Sequence, residues 1–140
     1  MRYSRGARSM GWFAALALCL LLTACRAHAP GGAQVLVDGR PWREAPSNDM
    51  EGICVYITID GAPAATLPFD EAHVVTIQIP GVGENIVRLT GTAVYMERAD
   101  CENQDCVGMG EITQDNLELR AMGGFIVCLP HRVSVEVREP

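Results

Sequence analysis

The chain has no lysine. All eleven basic residues are arginine, which excludes a lysine Schiff base and a P-loop lysine. Histidine is scarce, with three residues. His28 and His73 read as surface positions, leaving His131 as the one with chemistry nearby. Neither Ser47 nor Ser134 has a Gly-x-Ser-x-Gly setting, so no nucleophile elbow is marked. The six cysteines contain no C-x-x-C and no C-x-x-C-H, so the usual redox pair and covalent haem both lack their signature. Gly81-x-Gly83 is followed by no helical pattern and is a strand turn rather than a nucleotide loop. Helical periodicity is almost missing, and Glu111–Ala121 is the only candidate for a helical turn.

Long apolar runs are missing too. The longest uncharged one, Trp12 to Leu22, would span roughly 16 Å as a helix. A bilayer core needs about 30 Å. The run follows Arg2, Arg5 and Arg8 and precedes small residues, the layout of a secretory signal over residues 1–24. Leu22-Thr23-Ala24-Cys25 resembles a lipobox. Cleavage before Cys25 would leave this thiol as the lipid attachment point, and Cys19 would leave with the signal. Two or three acyl chains anchor far more durably than one. The expectation is a protein lipid-anchored to the cell membrane or outer membrane, facing away from the cytoplasm.

Removing 1–24 leaves eight arginines against all seventeen acids, a formal charge of −9. This disfavours nucleic acid as a partner, since phosphate binding depends on basic patches. It equally disfavours electrostatic docking on anionic lipid. The remaining length suits one domain.

Residues 25–51 read as a tether with a possible edge hairpin over 34–44, turning at Asp38-Gly39, and a linker at 45–51. Residues 52–139 read as the folded domain. In it, Ile53, Val55, Ile57 and Ile59 alternate with Cys54, Tyr56 and Thr58. Asp60-Gly61 is a hairpin turn. Ala62–Leu67, His73–Ile79, Ile86–Leu89, Ala93–Arg98, Phe125–Leu129 and Val133–Val137 are further short strands. Residues 100–111 form a polar loop. Short alternating runs between Gly and Pro turns predict a small all-β fold, an antiparallel sandwich or barrel.

Three stretches carry a family resemblance: ITIDG at 57–61, ADCENQDC at 99–106, and FIVCLPHRVSVEV at 125–137. With Cys101-x4-Cys106 and Cys128-Leu129-Pro130-His131, they resemble the NusG domain II family over roughly residues 52–139. The resemblance implies an antiparallel β fold, often exported or membrane-tethered, and no established reaction. It does not bring RNA polymerase as a partner, because a lipidated domain outside the cytoplasm does not meet it. The loop 111–124 is longer than in the family, and Cys54 falls outside its pattern.

Four cysteines remain in the domain: Cys54, Cys101, Cys106 and Cys128. Export places them where disulfides persist, and four cysteines allow three full pairings. A Cys101–Cys106 bridge closes a short loop worth about 2 kcal/mol, and a bridge to Cys128 a longer one worth about 3.5 kcal/mol. Both stay open, with a slight preference for Cys101–Cys106. Two sharper readings use the same residues. One is a zinc site of Cys101, Cys106, Cys128 and His131; the other is a thiol group for redox exchange or electron transfer. Asp100, Glu102, Asp105 and Glu111 lack the EF-hand order and read as solvated loop charge. No cofactor is expected. The leading expectation is a non-catalytic binding or scaffold module for an unknown envelope protein. The alternative is a thiol-based redox accessory.

Overall fold

The computed structural model describes residues 32–43 and 52–139. The signal segment 1–24 with Cys19, the lipid-attachment candidate Cys25, His28, and the linker 45–51 with Ser47 lie outside the described residues.

Ten strands and one short helix follow in order: β1 (Gln34–Val37), β2 (Arg40–Pro41), β3 (Cys54–Ile59), β4 (Ala62–Pro68), β5 (Ala72–Ile79), β6 (Gly83–Thr90), β7 (Ala93–Ala99), α1 (Asp105–Gly108), β8 (Ile112–Thr113), β9 (Phe125–Cys128) and β10 (Val133–Arg138). They build two antiparallel sheets, one ordered β2-β1-β5-β6-β7-β8 and the other β4-β3-β10-β9. Both DG turns form hairpins with two consecutive left-handed residues, Asp38-Gly39 and Asp60-Gly61. That backbone matches the twist of the flanking strands.

Alternation does what the sequence requires of it. Val55, Ile57 and Ile59 of β3 are buried, as are Val133, Val135 and Val137 of β10. They share one apolar cluster with Val75 and Ile77 of β5, Val87 and Leu89 of β6, and Val94 and Met96 of β7. Each such side chain contributes roughly 1.5–3 kcal/mol on burial. On the outer face of the smaller sheet, Thr58 and Ser134 share a hydrogen bond of 2.6 Å, and the Arg138 guanidinium lies 4.0 Å from the Tyr56 ring centre.

Three expectations change. The hairpin at 34–44 forms, but only β2 is an edge. β1 is an interior strand beside β5, with Val35 and Val37 in the core, so the folded unit takes in residues assigned to the tether. The polar loop 100–111 contains α1. The helical candidate 111–121 gives only β8 and one 3-10 turn at Gln114–Asn116. Thr113 and Asn116 close that turn with reciprocal backbone caps, and the local chain has no apolar face to extend it.

Candidate functional site

The strand registers bring the turn residues of the three motif stretches to one end of the sandwich. Val133 lies opposite both Ile59 and Cys128. The Asp60-Gly61 turn and the Leu129–Arg132 turn are therefore neighbours. Asp60 N–H donates to Arg132 O at 2.8 Å, and the Arg132 guanidinium approaches the Asp60 carboxylate at 3.3 Å. From the other sheet come the start of β6, the end of β7 and the chain running on into α1.

Cys101 follows β7 of the larger sheet, Cys106 sits in α1, and Cys128 ends β9 of the smaller sheet. All three are buried. Their Sγ atoms lie within 4.8 Å of one another, with Cys101 and Cys106 at 3.8 Å. The trio thus joins the two sheets through α1. Burial, reinforced by the neighbouring thiols of Cys128 and Cys101, pushes the Cys106 thiol up to about 12. Charge on sulfur is unfavourable in an apolar site already holding two other sulfurs.

Gln104 holds the loop in shape. It adopts a left-handed backbone at the start of α1. Its side-chain amide donates to Ala99 O at 2.7 Å and Cys101 O at 2.5 Å, and stands 3.9 Å from Cys101 Sγ. Met109, just past α1, covers the outer edge of β9, its sulfur 3.4 Å from the Val127 nitrogen.

Two expectations about ligands need correction. His131 does not join the cysteines. It crosses from the β9–β10 turn to the other sheet, where Nδ1 stands 2.7 Å from Asn85 Oδ1 and Nε2 3.2 Å from Asp100 Oδ1. Asp100 also accepts the Glu84 N–H at 2.8 Å. Both imidazole nitrogens are therefore engaged, which removes the fourth ligand of the zinc site. Cys54 is also apart. It begins β3 five residues before Ile59, about 16 Å along the strand, and its buried thiol donates to Gly52 O at 3.6 Å. No bridge from Cys54 to the trio fits without moving backbone, so no pairing of all four cysteines is available in this fold. Burial raises this thiol as well.

Sequence reasoning missed Asn85, Asp100 as a histidine partner, Gly83 and Gln104. Gly83 is required by space. A Cβ there would overlap the His131 ring and the Asp100 carboxylate. The only signal was the Gly-x-Gly turn, which gives no hint of what approaches it.

The opposite end is more open. A shallow groove of about 550 Å³ lies there, lined among others by Thr90, Thr92, Tyr95, Glu111 and Asp115. The loop 117–124 also reaches that end, where Val137 N–H donates to Gly124 O at 2.8 Å. Leu119 and Met122 in this loop are exposed, Leu119 by 86%, and Phe125 beyond them is partly so. At the cysteine end Leu129 and Val82 are exposed.

A profile of the NusG domain II family matches residues 15–140. The chain belongs to the NusG domain II family. Among solved structures, a Listeria innocua protein is 24% identical, covering 62% of this chain and 95% of its own, with a TM-score of 0.53. A DUF1312 family protein from Enterococcus faecalis is 15% identical over 63% of this chain and 98% of its own, with a TM-score of 0.54. Another DUF1312 family protein, from Ruminococcus gnavus, is 30% identical over 62% of this chain and 99% of its own, with a TM-score of 0.48. No curated protein matches the chain. The first two likenesses agree with the antiparallel β fold expected of a NusG domain II protein.

Proposed function

We propose that this NusG domain II protein is a lipid-anchored, extracytoplasmic, non-catalytic binding and scaffold module for another envelope protein. The observation that carries the reading is how its motif residues are used. Cys101, Cys106, Cys128 and His131 fasten the two sheets to each other, Asp60 and Arg132 tie two turns together, and none of them lines the groove at the opposite end. What the domain offers outward is surface, with Leu119, Met122 and Phe125 at one end and Leu129 and Val82 at the other. A lipid at Cys25 stands nine residues ahead of Gln34, a reach of about 30 Å. β1 enters its sheet opposite Gln78, beside the fastened end.

Strand addition is a poor route to the partner. β4 carries Pro63 and Pro68, β2 and β8 are two residues each, and Met109 covers β9. Such edges resist pairing, so side-chain contact through the apolar loop is the better mode.

Membrane fractionation tests the anchor. The wild type should sediment with membranes carrying an acyl mass on Cys25, and Cys25→Ser should be released. A wild-type protein recovered unacylated overturns this reading. Photo-cross-linking from position 119 should trap one envelope protein in proportion to its abundance. Turnover of a substrate by the purified protein would overturn the non-catalytic assignment. The thiol-redox alternative has less support, because exchange needs an accessible thiolate of lowered pKa and the trio is buried with Cys106 raised.

A further inference from the structure

We propose that Cys101, Cys106 and Cys128 form a three-coordinate thiolate site for a monovalent soft cation, copper(I). The inference concerns the folded domain and does not rest on the lipid anchor.

Metal–thiolate bonds of about 2.3 Å put sulfurs about 3.8–4.0 Å apart around one ion. Cys101 and Cys106 already stand 3.8 Å apart, and Cys128 lies within 4.8 Å of both. A small inward rotation of one side chain completes the set. The three sulfurs come from three different elements that the sheets, Gln104 and α1 hold in place, so little ordering remains for the metal to impose.

The missing fourth ligand chooses the metal. Tetrahedral zinc takes four donors, and the nearby imidazole is held by Asn85 and Asp100. No further His, Cys, Asp or Glu joins the group among the described residues. Val133, opposite Cys128 in the strand register, and Ile126, two residues before it on β9, are buried and apolar. An all-sulfur, dry, three-donor site suits a soft monovalent ion, and thiolates select copper(I). Each cysteine that binds releases its proton to solvent, and no electron is transferred. The Gln104 amide at 3.9 Å from Cys101 Sγ supplies a donor toward the sulfur charge, as outer partners of metal sites do.

The test titrates the full chain, fully reduced and anaerobic, with copper(I) against a chromogenic copper(I) chelator. One copper per chain is expected, with X-ray absorption showing three sulfurs and no nitrogen around it. Cys106→Ser and Cys128→Ser should each weaken binding at least about ten-fold, while Cys54→Ser leaves it unchanged. If a serine variant fails to fold, the wild-type absorption spectrum still decides. Absence of stoichiometric binding to verified thiols, a shell with nitrogen, or tighter binding of zinc than copper(I) would each overturn the site. So would protein recovered from copper-supplied cells with a Cys101–Cys106 disulfide and no metal.

Discussion

The two ends of the sandwich solve different problems. At one end, five turns or strand ends converge, and polar and sulfur contacts stitch one sheet to the other. At the opposite end, apart from the Val137–Gly124 hydrogen bond, the loop 117–124 exposes Leu119 and Met122 and a shallow groove stays open. Cys54 lies alone at that end. The fastened end uses its chemistry inward and so sets the relation of the sheets. The open end is free to vary in shape without disturbing them. The family motif falls on the first kind of residue, which is why it reports the fold more clearly than the activity.

The strongest way to break this contrast is steric. Gly83→Ala puts a methyl where the His131 ring and Asp100 carboxylate meet. One of them must leave, and Asn85 loses its partner. Overpacking plus the lost contacts should cost about 3 kcal/mol, measured by urea unfolding. A cost below about 1 kcal/mol would mean that the clamp is not needed. At the surface position Val82, one residue away, Val82→Ala should stay within about 0.5 kcal/mol.

The two domain histidines sharpen the same point. His131→Ala leaves the amide oxygen of Asn85, a fully buried residue, without its donor, which should cost about 2 kcal/mol. His73→Ala, at the far end of β5, removes partly exposed contacts to Asp38 and Glu71 and should change stability by no more than about 0.5 kcal/mol. Equal effects from the two would contradict the division into a fastened end and an open one.

Much of the fold was legible because alternation is a local property. The inward residues of β3 could be counted off directly, the ranges of β5 and β10 followed from the same short apolar runs, and the two DG turns gave their hairpins. The sandwich rather than a barrel was not legible, since closure depends on which strands pair across long separations. The site divided in the same way. Cys101 and Cys106 are five residues apart, so their meeting needs only a loop. His131 beside Cys128 suggested a shared ligand set, yet the β9–β10 turn sends the ring to Asn85, 46 residues back in the chain. No pattern around His131 encodes that partner. Gln104 was equally hidden, because its role depends on a left-handed backbone that its residue type does not demand.

The thiols offer a third contrast. In metal-free protein, mild oxidation should link Cys101 to Cys106, whose sulfurs already lie 3.8 Å apart, and leave Cys54 alkylatable after unfolding. Peptide mapping reads this directly. The bridge should raise stability by about 2 kcal/mol for a loop of this length. A bridge to Cys54 would refute the placement of β3. In the reduced protein the raised Cys106 thiol has a pH signature. Its folded value of about 12 lies above the ordinary 9.0. The folded state therefore keeps a proton that the unfolded state gives up above pH 9. That contribution is whole below pH 9 and is lost as pH climbs toward about 12. Cys106→Ala should flatten this part of the stability profile.

The smallest effect lies at the open end, on His73. Partial burial pulls its pKa down, but hydrogen bonds to Asp38 and Glu71 outweigh that, and the net direction is upward from 6.5. Asp38 moves the other way, lowered first by His73 and then by the Val74 N–H. The histidine contribution is thus complete below pH 6.5 and is lost as pH rises through the folded value. The Asp38 contribution is present above 3.8 and is lost as pH falls below it. The two overlap in mildly acidic solution, where a shallow stability maximum from this pair should appear. Its size is limited, since Asp38 and Glu71 are more than half exposed and solvent screens such pairs. NMR titration of the His73 ring should give a midpoint above 6.5, and Asp38→Asn should bring it down. An unmoved midpoint would show that the β1–β2 hairpin does not hold Asp38 against β5, and that the open end is looser than its strand pairing implies.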